Sequence, residues 1–513
     1  MYTDNKVLLG KAGEDLKEEI YLLPNMANRH GFIAGATRTG KTITLKVIAE
    51  SFSDMGVPCF VSDVKGDLSG FCTEGENTED MQKRVEKFAL AERNWQYKKY
   101  PVNFFDIYGK DGATLRVTIS EMGPELLSQI LNLTDVQKQI LSVAFTIADD
   151  AGLLLLDTKD LRKFLTFLID NRKEFEKDYG ALNTTSLNTV VRSIISLEAE
   201  GGDQFFGEPS IDLNDFFKVD SDGKGIINIL NSNSLINKPR MYCAFMLYLL
   251  SELFEILPEV GDLEKPKFVF FFDEAHLLFS NADKKLLEKI EQVVKLIRSK
   301  GVSVFFITQN PADISGGVLA QLSNKIQHAL RAYTPKEQKA IKTIAESFRT
   351  DGNINVEEEL EALGTGEAIV STLDEKGIPT YARKVKILPP QSFMKAASDS
   401  IKDSVIKQST LYTKYKDMVD RESAYEILTG RYEEIAKKNE EEANASKMQK
   451  EVSKKVKSIV KSMVGTTGTT LGRNLGSILT SGTSNTLLKS LGKNLGSSAG
   501  RNTLGTLAKI FLK

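Results

Sequence analysis

Apolar and polar positions alternate along this chain in blocks that predict strands and helices in turn. HGFIAG is a compact apolar run that predicts a strand, and ITLKVIAESFSDM an amphipathic helix ended by Gly56. VPCFVSD then predicts a second strand, so the segment forms a βαβ unit of a parallel sheet. The rhythm recurs in VNFFDIY (102–108), GIINIL (225–230), KFVFFF (267–272), VSVFFIT (302–308) and NKIQHALRA (324–332). Helical spacing in YCAFMLYLLSELFEIL and KKLLEKIEQVVKLIRSK separates several of them. GEAIVSTL and YARKVKIL predict two further strands before Pro389-Pro390, where the folded region is expected to close.

Two stretches break the rhythm. Between 120 and 200, LLSQILNL, VQKQILSVAFTIAD and LRKFLTFLID place apolar residues three and four apart, which predicts an all-helical insertion. Residues 400–460 are rich in Lys and Glu and predict solvated helices. The expected fold class is α/β, with a mostly parallel sheet, a helical insertion and a helical C-terminal extension. The expected divisions are a short lead (1–30, with room for a strand or two), core (31–119), insertion (120–200), core (201–390), charged extension (391–464) and tail (465–513). That Gly/Ser/Thr/Leu-rich tail is basic: from Ser453 to the end there are ten Lys or Arg and no Asp or Glu. It suits an anionic surface, such as nucleic acid or membrane, or a partner subunit.

At 513 residues the chain exceeds one ordinary core. A net charge of −2 leaves any attraction to nucleic acid to local patches. Cys59, Cys72 and Cys243 show no CxxC spacing, which argues against a disulfide framework or a zinc site. The longest apolar runs fall short of the roughly 20 residues that span a bilayer, so no transmembrane segment is expected. The start, MYTDNKVLLGKAGEDL, lacks the basic region and apolar core of a signal peptide, so a cytoplasmic location is expected.

The candidate chemistry begins at GATRTGKT, which fills positions 35–42 with Gly35, Ala36, Thr37, Arg38, Thr39, Gly40, Lys41 and Thr42. This is the phosphate-binding-loop (Walker A) pattern, set between a predicted strand and a predicted helix as its chemistry requires. The glycines let consecutive N–H groups face phosphates, and the helix N-terminus points at the same anion. Lys41 would reach the β- and γ-phosphates of ATP, and the Thr42 hydroxyl would ligate Mg²⁺. FVFFFDEAH (268–276) delivers Asp273, suited to the Mg²⁺ contact, and Glu274, suited to activating water, as a Walker B element does. VSVFFITQN ends in Gln309, placed to sense the γ-phosphate. SDVKGDLSG (62–70) brings Asp63, Lys65 and Asp67 to the strand edge that lines the ligand crevice in open α/β sheets. His276 has no second His at metal-ligand spacing and suits a structural hydrogen bond. Trp95 and Tyr97, beside Lys98 and Lys99, suit a partly buried anchor more than a nucleic-acid contact.

Together GATRTGKT, SDVKGDLSG, FFFDEAH and LIRSKGVSVFFITQNPADI resemble the HerA–FtsK class of P-loop ATPases. QLSNKIQHALRAYTPKEQKAIKTIAESFR and GEAIVSTLDEKGIPT resemble its YjgR-like branch, the HerA-like helicase C-terminal proteins. The resemblance covers about residues 8–390. It implies a RecA-like core, ATP with Mg²⁺, and assembly into a homo-hexameric ring. It also implies that an arginine from the neighbouring subunit completes each site, for which Arg298 and Arg331 are the candidates, with Arg240 and Arg349 behind them. About thirty residues ahead of the core cannot hold the β-barrel that HerA carries there. Two uses of hydrolysis therefore compete: translocation on double-stranded DNA, or regulation and remodelling of a protein partner without a DNA track.

Overall fold

The computed structural model describes residues 1–235, 238–280 and 284–464. The basic tail therefore lies outside the described residues. Thirteen strands make one sheet: β1 (Tyr2–Thr3), β2 (Lys6–Ala12), β3 (Glu18–Leu22), β4 (Gly31–Ala34), β5 (Cys59–Asp63), β6 (Val102–Asp106) and β7 (Ala113–Thr114), then β8 (Ile227–Asn231), β9 (Phe268–Phe272), β10 (Val302–Thr308), β11 (Asn324–His328), β12 (Glu367–Ser371) and β13 (Arg383–Ile387). Their order is β1-β2-β13-β12-β11-β4-β10-β9-β5-β8-β6-β7, with β3 paired on β2. From β11 to β7 every pairing is parallel. From β11 through β12 and β13 to β2 the pairings are antiparallel.

The central strands are apolar runs because helices cover both faces of a parallel sheet. Every residue of β9 and β10 is buried. Phe271 stacks on Phe305 and Phe272 on Phe306 across that pair, in register. Cys59 is buried in β5, as a small apolar residue would be. The carboxyl ends of β4, β5, β9 and β10 fall on one edge, since Ala34 pairs with Thr308, Phe306 with Phe272, and Phe272 with Ser62. That edge receives the phosphate loop, the 64–68 loop, Asp273-Glu274 and Gln309.

Residues 1–30 do more than lead into the core. β2 pairs with β13, and Val7, Leu8 and Leu9 are fully buried, so the first hairpin extends the main sheet. The chain beyond Pro389-Pro390 also stays with that sheet. Glu50, buried on the helix Lys41–Asp54, accepts hydrogen bonds from Gln391 N (2.8 Å), Ser392 N (3.1 Å) and Ser392 Oγ (2.6 Å). Lys46, one turn earlier, donates to the Phe393 carbonyl at 2.8 Å. Burial raises the Glu50 pKa and lowers that of Lys46 to about 8. Together these two clamp the segment after Pro389-Pro390. Helices Asp399–Gln408 and Thr410–Tyr415 continue it, and Arg116 donates to the Tyr415 carbonyl at 2.8 Å.

All regular elements in 119–199 are helices. The chain divides into two compact units, the first containing 1–141, 156–158 and 189–420, and so the whole sheet. The second holds, among the described residues, 142–155, 159–188 and 421–464, and its regular elements are helices. Within it, Asp160 accepts from Tyr425 N at 2.8 Å and Tyr432 donates to Asp170 at 2.8 Å, tying the helix Ala424–Val464 to the insertion.

Candidate active site

The phosphate loop follows β4 directly. Gly35 (φ 151°) and Gly40 (φ 121°) take positive φ, and a Cβ at Gly35 would stand 2.5 Å from the His328 Cβ. Arg38 is left-handed at φ 64°, and it and Thr37 are exposed. Gly35 N donates to the Thr308 carbonyl (3.3 Å) and Ala36 N to that of Ala329 (2.8 Å), which ties the loop to the ends of β10 and β11. Thr39 Oγ1 closes it on the Ala36 carbonyl at 2.8 Å. The helix Lys41–Asp54 then starts at Gly40 with no side-chain cap. Its first-turn N–H groups thus stay available to an anion.

Lys41 folds over this loop, donating to the carbonyls of Gly35 (2.6 Å) and Ala36 (3.0 Å). Burial lowers its pKa and Lys65 adds to that, against the pull of Glu274 and Asp273. Thr42 is half-buried in the first helical turn. Asp273 is buried at the end of β9 and accepts from Glu274 N at 3.0 Å. Burial first, then the neighbouring Glu274 charge, push its pKa up to about 7.

Glu274 holds φ 48°, a left-handed backbone uncommon outside glycine. Both of its carboxylate oxygens are engaged. Oε1 lies 2.6 Å from Lys65 Nζ, and Oε2 lies 3.2 Å from His276 Nδ1 and 3.5 Å from Gln309 Nε2. Burial would raise its pKa, but the Lys65 hydrogen bond and charge outweigh that and hold it below the usual carboxylate value. His276 thus makes a polar contact at the strand end, with Nδ1 within ion-pair distance of Glu274. Asp63 is turned into its own loop, accepting from Lys65 N (3.2 Å), Gly66 N (2.7 Å) and Leu68 N (3.0 Å). Burial and the nearby Asp67 raise its pKa to about 6.

The contacts of Arg298, Arg331 and Arg349 are made with residues outside this cluster. Arg298 stands at the amino end of β10, the opposite edge, with Asp262 at 3.5 Å. Arg331 follows β11 and donates to the carbonyls of Leu330, Glu361 and Leu363. Arg349 donates to the Pro379 carbonyl and stacks over Tyr381. Arg240 lies in the helix Pro239–Ile256, and its side chain is outside the described residues. Trp95 is buried edge-on against Tyr97, and Lys98 pairs with Asp54 at 2.7 Å.

Sequence reasoning passed over His328. It is fully buried beneath the phosphate loop, with Nε2 2.8 Å from Thr44 Oγ1 and Nδ1 2.8 Å from the Glu367 carbonyl. Gly366 N adds a bond to the Thr39 carbonyl at 2.9 Å, so β11 and β12 together underpin the loop. The strand NKIQH carries a single apolar residue, Ile326, so nothing in its pattern signals that its last position is buried under the loop. Burial depresses its pKa to about 4, as it does for His30. An imidazole depressed in the fold stabilises above its unfolded pKa of about 6.5 and loses that contribution as pH falls toward 4. His328→Ala should therefore cost about 1–3 kcal/mol near pH 7.5, by removing the imidazole partner of the Glu367 carbonyl and leaving Thr44 Oγ1 only its 3.3 Å bond to the Gly40 carbonyl. The difference in thermal midpoint from the unaltered protein should shrink toward pH 4. A gap that is constant or widening as pH falls would contradict this.

Thr42 and Asp273 are hard oxygen donors, and Mg²⁺ is held by one or two such groups together with substrate phosphates. Among the described residues no group of three or more His, Cys, Asp or Glu could hold a metal unaided. The donor set fits a metal carried in with a nucleotide.

The family described as helicase HerA-like C-terminal matches residues 9–510. The chain belongs to that family. This HerA-like protein is an ATPase of the HerA–FtsK class, with the mostly parallel RecA-like sheet of its relatives. It is 22% identical over 390 residues to the DNA double-strand break repair helicase HerA of Sulfurisphaera tokodaii, covering 72% of this chain and 67% of that one. A probable helicase of Methanocaldococcus jannaschii is 35% identical over 116 residues, 22% of this chain and 20% of that one. The fold is similar to that of the plasmid coupling protein TrwB in complex with the non-hydrolysable GTP analogue GDPNP, at a TM-score of 0.51 and 13% identity. That likeness covers 77% of the HerA-like chain and 94% of TrwB. Among the described residues no helix is long and apolar enough to cross a membrane.

Proposed function

We propose that this protein hydrolyses ATP with Mg²⁺ as a homo-hexameric ring in the cytoplasm and uses the energy to move along double-stranded DNA. The observation that carries the reading is the convergence of an uncapped helix N-terminus, Lys41, Asp273, Glu274 and Gln309 on one sheet edge. In this scheme the loop 35–42 cradles the phosphates through its N–H groups, and Lys41 leaves its own loop carbonyls for the β- and γ-phosphates. Thr42 and Asp273 would hold Mg²⁺, which neutralises charge on the phosphate oxygens. Glu274 orients the attacking water and takes its proton, and Gln309, already beside Glu274, reports on the γ-phosphate. Asp63 shapes the neighbouring loop. Arg298 or Arg331 would reach the site of an adjacent subunit. The two units found here would serve as motor core and helical accessory.

The DNA track is supported by the helicase relatives. The competing reading is an ATPase that remodels a protein partner, favoured by the net charge of −2. ATP turnover with and without duplex DNA, at a fixed low salt concentration, separates the two. The motor reading expects several-fold stimulation by DNA that weakens steeply as salt rises. Turnover indifferent to DNA would sink the track and leave the protein partner.

A further inference from the structure

Glu274 can act on water only with a carboxylate oxygen free to accept its proton. In this structure both oxygens already have partners: the Lys65 ammonium lies 2.6 Å from Oε1, while His276 and Gln309 lie 3.2 and 3.5 Å from Oε2. The arrangement is imposed by the fold. β5 and β9 are parallel neighbours, so the residues just past their ends face each other. The backbone of the β5 loop is fixed by Asp63, whose carboxylate gathers the N–H groups of Lys65, Gly66 and Leu68. The next turn, Leu68–Cys72, is fixed too, with Ala397 N donating to Ser69 Oγ at 3.1 Å. Glu274 is held by its own left-handed backbone and by Ala275 N, which donates to the Ile307 carbonyl at 2.8 Å. The free torsions lie in the lysine side chain, which is 42% exposed. It can swing toward solvent or toward a phosphate without moving the sheet.

We infer that Lys65 is a latch: it withholds Glu274 from the attacking water, and turnover waits on its release to a phosphate anion. This rests on the reading of Glu274 as the water-activating group and adds how that group is regulated. Lys65 is thus a positioning residue, acting through Glu274. The phosphate that draws it away comes either from the nucleotide or from the DNA backbone. A source in the nucleotide predicts a latch that each ATP must draw open within its own cycle, slowing every turnover, and a source in DNA one that stays closed until the track arrives.

The test is steady-state ATP turnover by the full chain carrying Lys65→Met, with Lys65→Arg beside it, each with and without duplex DNA. The methionine keeps the aliphatic stem and removes the charge at a half-exposed site, and thermal midpoints confirm that the fold persists. A latch worth a typical partly exposed ion pair predicts that DNA-free kcat rises about fivefold in Lys65→Met, with KM for ATP within about twofold. Lys65→Arg should restore the low rate, because its cation re-forms the pair. Loss of DNA stimulation in Lys65→Met identifies the DNA backbone as the releasing phosphate; stimulation retained on top of the raised rate identifies the nucleotide. An unchanged or lower kcat overturns the latch, as does a tenfold rise in KM, which would make Lys65 a phosphate ligand. Glu274→Gln is run in parallel. If it stays fully active, the reading of Glu274 fails and the latch with it; if it is inactive while Lys65→Met is no faster, the latch alone fails.

Discussion

Glu274→Gln is expected to lower ATP turnover by about 10²–10⁴-fold while leaving nucleotide binding intact, the range that a positioned general base contributes. Glutamine keeps the size and the hydrogen-bonding reach of the side chain, so the contacts with His276 and Gln309 remain available. It cannot accept the proton. The charge removed is the one Lys65 neutralises at 2.6 Å, a pair whose lysine end is open to solvent, so stability should change by less than about 1 kcal/mol. Single-turnover assays with labelled ATP, alongside equilibrium binding of a non-hydrolysable analogue, separate the two effects. Turnover at the unaltered rate would remove Glu274 from the chemistry.

Lys41→Ala should show the complementary pattern, losing affinity for ATP and with it turnover, by about 10²–10³-fold in kcat/KM. Lys41 is the cation built into the phosphate loop, and its present partners are the carbonyls of Gly35 and Ala36, which an arriving phosphate would outcompete by charge. The fold itself should tolerate the change. Burial works against the ammonium, and alanine is a strong helix former at the first position of Lys41–Asp54. A thermal midpoint no lower than that of the unaltered chain, together with lost ATP binding, is the expected result. Unimpaired ATP affinity would contradict the assignment of the loop.

Much of the site is legible because each part is a contiguous run with a local physical meaning. GATRTGKT can only be a glycine-hinged turn from strand to helix, and that is where Gly35 and Gly40 take positive φ. FVFFF is wholly apolar and VSVFFIT mostly so because both faces are covered, so the polar residues beyond them, Asp273-Glu274 and Gln309, emerge at a sheet edge. The helical spacing between 120 and 200 appears as helices in the structure. What stayed hidden depends on pairings hundreds of residues apart. Nothing near VKG announces that Lys65 will meet Glu274, and nothing near Glu50 announces Ser392.

The sequence by itself determined which side chains have the capacity to cradle phosphate, hold a metal ion and activate water, because those capacities reside in side-chain type and short-range backbone geometry. Tertiary structure alone decided their state. It put His328 under the phosphate loop, joined the first hairpin to β13, carried the folded unit past Pro389-Pro390 and closed Lys65 on Glu274. Each of these follows from strand order and register in one sheet, which bring distant residues to the same edge and are not encoded in any single segment.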